Sequence, residues 1–308
     1  MRALVTGATG AIGNHLVLEL RRRGWEVVCV LRSAPRPAPG IQCMHGDLLR
    51  PESLRFDEIS AGSEDVLFHF AALLPSQESS PEQYLMANCV GTVRLLQTAE
   101  QFGIKSVVYA SSLPVIGTPE RLPITEDHPT NPRHPYHLSK LCGELACEMS
   151  RRTQGLRVSS LRITSPYGPG MSPNGVLARF VGSALRSEDL QWLGSGSRAQ
   201  NFVHVSDVVM AALLAAETDR PGIYNIGGSE TTSMQELART VARLTPGTHS
   251  EVSAKGVSDP EEGCRWEVDL TRAASGLKYR PKISLELGLA EYIAWVQSGV
   301  ETPHWWNS

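Results

Sequence analysis

Short apolar runs alternate with helical stretches through the first half of this chain, and this alternation restricts the fold more than any other feature. The strand-like runs are rich in β-branched and apolar residues and cover 2–6, 25–31, 41–44, 65–72, 106–111 and 156–163. Stretches with helical spacing of apolar residues lie between them, at 11–23, 81–102 and 136–152. Parallel strands require such crossovers, so the sequence predicts an α/β fold with a doubly wound parallel sheet.

The second half of the chain loses this regular alternation. Proline and glycine cluster at 166–175, and only short strand-like and helical segments follow. A length of 308 residues fits one large domain or two closely joined lobes. We therefore expect a sheet domain over 1–165 and, over 166–308, mainly a smaller lobe that is interleaved with it and returns some segments to the sheet.

The charge and cysteine content exclude several classes of protein. With 29 Lys+Arg against 32 Asp+Glu, the net charge of −3 offers no basic excess for nucleic acid or an anionic membrane. No apolar run approaches the roughly 18 residues of a membrane span, and the N-terminus lacks a signal-peptide pattern. The six cysteines form no C-x-x-C pair, which favours free thiols over disulfides or a metal site. We expect a cytoplasmic protein.

A glycine-rich turn joins the first predicted strand to the first predicted helix. Glycines at 7, 10 and 13 allow a tight turn and a close approach to a diphosphate, which the free N–H groups of the helix would bind. The spacing alone is weak, and a purely structural turn is the alternative; the strand–loop–helix context favours a nucleotide site. The sequence thus predicts a Rossmann-type dinucleotide site that includes Gly7, Thr9, Gly10, Ala11, Ile12 and Gly13.

The end of the second predicted strand bears on the choice of cofactor. An acidic residue there accepts from a ribose 2′-hydroxyl, whereas an arginine suits a 2′-phosphate. This chain has Arg32, with Arg36 further on, and no carboxylate, which favours NADP slightly over NAD unless Arg32 is only a solvated charge. Asp47 and Leu48 follow the third strand; the carboxylate would hold the adenine amino group or cap the next helix.

Tyr136 and Lys140 lie four residues apart, on one face of a predicted helix. A buried phenol beside an ammonium is expected to have a lowered pKa and to act as an acid–base group near neutral pH. Ser112 stands at the end of the preceding strand, where sheets of this kind bind ligands, and its hydroxyl could align a substrate oxygen. Each signal is moderate; together, and in this order, they predict a catalytic site.

With these motifs the chain resembles the extended short-chain dehydrogenase/reductases, also called the NAD-dependent epimerase/dehydratase family, in its sugar-nucleotide branch. The resemblance covers nearly the whole chain. Besides the glycine loop, it rests on GDL (46–48), HFAA (69–72), NCVGT (88–92), YASSLPVIG (109–117), YHLSK (136–140), LRITSPYGPG (161–170), NFVHVSDV (201–208), YNIGG (224–228) and the segment at 269–289.

The resemblance implies a role for each matching position. Tyr136 would be the general acid/base, Lys140 would hold the nicotinamide ribose, and Ser112 would bind the reacting oxygen. The cofactor would be lined by Phe70, Ala71 and Ala72, with Asn88 bracing the site between helix and strand. The family commonly forms homodimers through the helices at 81–102 and 136–152, so we expect a homodimer.

Three departures from the family pattern concern the substrate. Leu113 and Pro114 replace an acidic pair that 4,6-dehydratases carry, which argues against that reaction. Ser165 stands where a substrate-binding asparagine is common. Gln200 and Asn201 replace an Arg-Asp pair that contacts a diphosphate; Arg198 is a candidate to supply the missing charge, Arg265 a weaker one, because a guanidinium suits diphosphate recognition.

The leading hypothesis is an NAD(P)-dependent enzyme that oxidises or reduces a sugar carbon, most simply in a nucleotide-activated sugar, as a 4-epimerase or a 4-ketoreductase. The weakened diphosphate handle keeps open an NADPH-dependent carbonyl reductase of a non-sugar aldehyde or ketone. A dinucleotide-binding regulator without catalysis is a remote alternative. The aromatic pair Trp305–Trp306 is expected to pack on the second lobe or at an interface edge.

Overall fold

The alternating elements of the first half form a single parallel sheet. The computed structural model describes residues 1–33, 40–75, 79–171, 174–245, 247, 249–299 and 304–305, so Arg36 and Trp306 lie outside the described residues. Within these residues the main sheet has seven strands, all parallel to their neighbours. They are β1 (Arg2–Thr6), β2 (Glu26–Leu31), β3 (Gln42–His45), β4 (Asp65–His69), β5 (Ser106–Ser112), β6 (Arg157–Ile163) and β10 (Ile223–Ile226).

The strand order is β10-β6-β5-β4-β1-β2-β3. From β1 the chain proceeds outward through β2 and β3, then returns to β4 on the other side of β1 and proceeds outward again. This reversal between β1 and β4 is the point at which open α/β sheets bind ligands, beyond the carboxyl ends of the strands. The predicted doubly wound α/β fold is therefore confirmed.

Helices cover both faces of this sheet. The helices of the described part of the chain, in both bodies, are α1 (Ala11–Arg22), α2 (Pro81–Tyr84), α3 (Gly91–Gln101), α4 (Pro135–Thr153), α5 (Val176–Leu185), α6 (Val205–Glu217), α7 (Met234–Leu244), α8 (Thr271–Gly276) and α9 (Leu285–Ser298). A π-helical turn, Leu85–Val90, joins α2 to α3, and short 3-10 turns lie at Pro51–Ser53, Phe56–Ile59 and Leu113–Ile116. One apolar core lies between the sheet and α1 and α6, and a second lies under α3 and α4.

The second half builds a smaller body with its own apolar core. Strands β11 (Thr231–Ser233), β9 (Ala199–His204) and β7 (Ser165–Tyr167) form one small sheet, and β12 (Val252–Ala254) pairs with β8 (Leu190–Trp192). The chain does not stay in this body, because β10 returns to the edge of the main sheet beside β6. The boundaries at 1–165 and 166–308 remain predictions.

Candidate active site

A cavity of about 1130 Å³ opens beyond the carboxyl ends of β1, β4 and β5. This volume exceeds the roughly 300–1,000 Å³ of ordinary small-molecule pockets, so a dinucleotide and a second ligand could share it. Its lining unites most of the residues singled out in the sequence: Gly7, Thr9, Gly10, Ala11, Ile12, Gly13, Arg32, Asp47, Leu48, Phe70, Ala71, Ala72, Ser112, Tyr136 and Lys140.

The glycine loop has little space for side chains. Gly7 has a φ of +71°, and a Cβ there would lie 2.5 Å from the backbone of Phe70 and of Ala71. A Cβ on Gly13 would lie 2.1 Å from the carbonyl oxygen of Gly7. The loop can therefore pack this closely against the end of β4 only with glycine at these positions.

The start of α1 suits an anion. The helix begins at Ala11 without a side-chain cap on Gly10 and without an acidic residue in its first turn. Its first N–H groups and the positive end of its dipole are thus available to a diphosphate. The loop and helix together fit the diphosphate of a dinucleotide.

The floor between β1 and β4 is built from buried neutral groups. His69 lies between the hydroxyls of Thr6, at 2.8 Å, and Thr92, at 2.9 Å. Burial lowers the pKa of His69 to about 3, so its ring is neutral at physiological pH. The Thr6 hydroxyl also accepts a hydrogen bond from the backbone N–H of Ala71. These bonds fix the backbone of the predicted cofactor-lining segment.

At the far end of the cavity, Arg32 is exposed just beyond β2. No ion pair to it is formed by the described residues. Asp47 lines the cavity too, and its Oδ1 accepts a hydrogen bond from the N–H of Leu49 at 3.0 Å. One carboxylate oxygen of Asp47 is therefore used to shape the local turn; it does not cap the 3-10 turn Pro51–Ser53, whose N-cap residue is Arg50.

The catalytic candidates on α4 are presented at its first two turns. His134 caps the helix by accepting from the N–H of Tyr136, and Pro135 occupies the first helical position, which suits its fixed φ. Tyr136 and Lys140 both line the cavity with Ser112. Lys140 is only 2% exposed, and its Nζ lies 4.5 Å from the centre of the Tyr109 ring.

The expected lowering of the Tyr136 pKa is wrong for this structure. Burial raises the pKa of Tyr136 to about 12, with no opposing effect of Lys140. Burial also lowers the pKa of Lys140 to about 8, against weak opposing effects from Cys147 and Glu144. The sequence identified the pair, but it gave no measure of how strongly loss of water destabilises both charged forms.

A buried ion pair that sequence reasoning missed holds α4 against the sheet. Arg162 donates to the carboxylate of Glu144 at 2.9–3.2 Å, and both side chains are almost fully buried. Glu144 also accepts from the hydroxyl of Ser111, which neighbours Ser112 and lines the cavity. Tyr109 adds a bond from its hydroxyl to the carbonyl of Lys140. The only sequence signal was Glu144 following Lys140 by one helical turn.

Asn88 does not line the cavity itself, and its contacts are those of the brace between helix and strand that the sequence predicted. It lies in the π-helical turn, where its Oδ1 accepts from the N–H of Leu73 and its Nδ2 donates to the Leu73 carbonyl and to Ser139. Ser139 in turn donates to the carbonyl of Tyr136. The amide thus braces the segment after β4 against the catalytic helix and is fully used in doing so.

Of the residues predicted to bind the substrate, the structure brings Ser112 to this cavity and leaves four others outside it. Among the described residues, the cavity lining excludes Ser165, Arg198, Gln200 and Arg265. Arg198 forms ion pairs with Asp259 at 3.1 Å and Glu261 at 2.8 Å, so its charge is already neutralised. A role for Arg198 as a diphosphate ligand therefore stays a prediction, and in this structure its guanidinium is paired with carboxylates. Ser165 and Gln200 lie in the small sheet, and Arg265 is exposed beside it.

Thr164 is a cavity residue that the sequence did not single out. It follows β6, next to the position paired with Ser112, and its buried Oγ1 has no hydrogen-bond partner among the described residues. A buried hydroxyl without a partner costs free energy. A ligand in the cavity could satisfy it.

The described ranges contain neither a membrane-spanning helix nor a cluster of metal-ligating side chains. None of their helices is long and apolar enough to cross a membrane. No group of three or more His, Cys, Asp or Glu residues there could hold a metal ion.

Comparisons with known proteins agree with this geometry. A UDP-N-acetyl-alpha-D-glucosaminuronate decarboxylase of Bacillus cytotoxicus is 33% identical, with 96% of this chain and 97% of that protein covered. The structure of Thermotoga maritima UDP-glucose 4-epimerase with UDP-glucose has a TM-score of 0.86 and 28% identity, covering 98% of this chain and all of that one. Thermus thermophilus UDP-glucose 4-epimerase in complex with NAD has a TM-score of 0.82 and 27% identity, covering 97% and 100%.

Residues 3–227 match the model of the NAD dependent epimerase/dehydratase family. This range contains the glycine loop, the Ser112, Tyr136 and Lys140 positions and, apart from Arg2 at the start of β1, the seven strands of the main sheet. The chain therefore belongs to the NAD-dependent epimerase/dehydratase family, a group of extended short-chain dehydrogenase/reductase enzymes.

Proposed function

We propose that this protein catalyses NAD(P)-dependent hydride transfer at a carbon of a nucleotide-activated sugar, as a 4-epimerase or a 4-ketoreductase. The observation that carries the proposal is the presence of Ser112, Tyr136 and Lys140 in one cavity with the glycine loop. The sugar-nucleotide substrates and the NAD named for its structural relatives support the same class.

In this mechanism a bound nicotinamide dinucleotide supplies the redox chemistry by accepting or giving the hydride. Ser112 donates a hydrogen bond to the reacting oxygen and fixes its position beside the phenol. Tyr136 exchanges the hydroxyl proton with that oxygen. With a pKa near 12 the phenol is protonated at neutral pH, which suits proton donation to a carbonyl, the reductive direction.

Lys140 provides the positive charge that phenolate formation needs in the oxidative direction. Its pKa of about 8 keeps the ammonium mostly charged at pH 7. Hydrogen bonds of Glu144 and Tyr109 hold this part of α4 against β5. The side chains of Tyr136 and Lys140 are therefore fixed in position relative to Ser112. Positioning of this kind accounts for a large share of catalysis when the cofactor carries the chemistry.

For the dinucleotide, we propose NAD or NADP, held by the loop at 7–13 and by the segment at 70–72. NAD is the cofactor named for the Thermus thermophilus enzyme. The exposed Arg32 and the lack of a carboxylate beside it support acceptance of a 2′-phosphate. Calorimetric titration with NAD⁺ and NADP⁺, on the wild type and Arg32→Gln, tests this: tighter NADP⁺ binding that the substitution abolishes supports NADP, and an unchanged ratio refutes it.

The 4-epimerase and 4-ketoreductase reactions can be distinguished by whether they consume the cofactor. An epimerase oxidises and then reduces the same carbon, so it interconverts sugars without net consumption, whereas a ketoreductase consumes NADPH or NADH. We would incubate the protein with UDP-glucose and with a 4-keto sugar nucleotide, and follow products by NMR and cofactor by absorbance. Tyr136→Phe is expected to lower turnover by roughly 100-fold or more. Wild-type turnover in that variant would refute the mechanism.

A carbonyl reductase of a non-sugar ketone is a second candidate, favoured by one observation. Arg198 is paired with Asp259 and Glu261, so the described structure keeps no free guanidinium at this point for a diphosphate. Oxidation of NADPH by small ketones, together with no thermal shift from sugar nucleotides, would support it. A thermal shift with UDP-sugars would support the first candidate.

We also propose a homodimer formed through α4. Leu138, Leu145 and Met149 are exposed at spacings of seven and four residues, with Cys142 between them, which gives one apolar helix face. Sedimentation of the wild type is expected to give a dimer and Leu145→Lys a monomer. Leu287→Lys, at an exposed leucine on α9, is the control. A wild-type monomer would refute the proposal.

A further inference from the structure

The indole of Trp305 is buried beneath the glycine loop. Although it lies near the end of the chain, Trp305 is 0% exposed and belongs to the apolar core that contains Ala8 and Leu16. The prediction that this aromatic residue packs on the second lobe or at an interface edge is wrong for Trp305. It packs instead against the half of the molecule that carries the proposed dinucleotide site.

Trp305 makes two hydrogen bonds to that half. Its Nε1 donates to the carbonyl of Ala8 at 2.7 Å, and its backbone N–H donates to Oδ1 of Asn14 at 3.1 Å. Ala8 lies between Gly7 and Thr9, which both line the cavity. Asn14 lies in the first turn of α1 and its N–H bonds to the carbonyl of Gly10. The tail thus contacts both the loop and the helix that would bind a diphosphate.

The first bond has a directional consequence. In a planar trans peptide the carbonyl of one residue and the N–H of the next point in opposite directions. Because the Ala8 carbonyl points down to the indole, the N–H of Thr9 points the other way, and Thr9 lies on the cavity side. Loss of the indole N–H would leave that peptide unit free to rotate and would weaken an anion-binding donor.

We propose that Trp305 is a positioning residue for dinucleotide binding: it fixes the Ala8–Thr9 peptide so that the glycine loop is held ready for the diphosphate. This inference rests on the proposed dinucleotide site. Since an ordered loop favours both events, binding of the dinucleotide and docking of Trp305 stabilise each other.

The test compares Trp305→Phe with Trp295→Phe. Phenylalanine keeps an apolar ring at 305 and removes the N–H donor. Trp295 is a matched control, because it lies in α9, packs in the separate core of the second body, and its Nε1 has no hydrogen-bond partner among the described residues. Binding of NAD⁺ is measured by isothermal titration calorimetry.

Trp305→Phe is expected to raise the Kd for NAD⁺ about 5-fold, the effect of about one net hydrogen bond, and Trp295→Phe to change it less than 2-fold. Hydrogen exchange of the peptide that spans Ala8 and Thr9 is expected to be faster in Trp305→Phe, and unchanged in the control. NAD⁺ is expected to slow that exchange in the wild type.

An unchanged Kd together with unchanged exchange at the loop in Trp305→Phe would overturn the inference. A lower melting temperature with an unchanged Kd would also overturn it, since that result describes a purely structural anchor. If the wild type binds neither NAD⁺ nor NADP⁺, the proposed function fails, and this outcome is distinct from a failure of the Trp305 proposal.

Discussion

Replacement of Lys140 by methionine is expected to stabilise the fold while it removes a group proposed to serve catalysis. The Lys140 ammonium is buried, and its described contact is the face of the Tyr109 ring at 4.5 Å. Burial lowers its pKa to about 8, whereas an unfolded lysine has a pKa of about 10.4. The buried cation therefore lowers the free energy of unfolding at neutral pH.

The sign and size follow from proton linkage. Between pH 8 and 10.4 the unfolded chain binds the proton that the folded protein has lost, so stability rises with pH in that window. Below it the penalty is complete and amounts to about 3 kcal/mol, at about 1.36 kcal/mol per pH unit. Loss of the cation–π contact offsets ~0.5–2 kcal/mol. A net gain of about 1–2.5 kcal/mol is expected for Lys140→Met at pH 7.

Urea denaturation at pH 7 and at pH 9.5 measures this effect. For each protein the change in the free energy of unfolding from pH 7 to pH 9.5 is measured. This change should be more positive in the wild type than in Lys140→Met, because only the wild type loses the buried charge in that range. Lys105→Met is the control, because Lys105 is exposed, and its change should stay within about 0.5 kcal/mol. If Lys140→Met is less stable than the wild type at pH 7, the reasoning about this buried ammonium is refuted.

Three further predictions concern the loop, the floor and the buried ion pair. Gly13→Ala should abolish detectable NAD⁺ binding in calorimetry, because its Cβ would lie 2.1 Å from the Gly7 carbonyl oxygen; normal affinity would contradict the loop geometry. Because the pKa of His69 is lowered to about 3 in the folded protein, the free energy of unfolding should fall as the pH drops below about 6.5, by roughly 2 kcal/mol at pH 5. In acid denaturation, His69→Gln should not show this part of the decline. Glu144→Gln should cost about 3–5 kcal/mol in urea denaturation, because it leaves the Arg162 charge buried without its partner; a cost below about 1 kcal/mol would contradict the burial of the pair.

Elements whose pattern is local could be predicted from the sequence. The first strand was expected at 2–6 and is found at Arg2–Thr6, and the first helix was expected at 11–23 and is found at Ala11–Arg22. Glycine at the turn and β-branched residues in the strand suffice for such boundaries. The π-helical turn Leu85–Val90 was not foreseen, because its residues show an ordinary helical pattern; within it Asn88 bonds to Leu73 and Ser139, which lie elsewhere in the sequence.

Features that depend on distant partners could not be predicted. Arg198 is neutralised by Asp259 and Glu261, about 60 positions further along the chain. Trp305 bonds to Ala8 from the opposite end of the sequence. The pKa of Tyr136 depends on its burial and not on its spacing from Lys140. Only the folded chain determines these three outcomes.

A crystal structure of the protein grown with NAD⁺ tests the central claim most directly. We expect the diphosphate at the start of α1, on the cavity side of the Gly7–Gly13 loop, and the nicotinamide ring within contact of the Tyr136 phenol and the Lys140 ammonium. A dinucleotide whose nicotinamide end lies away from these two side chains would contradict this expectation.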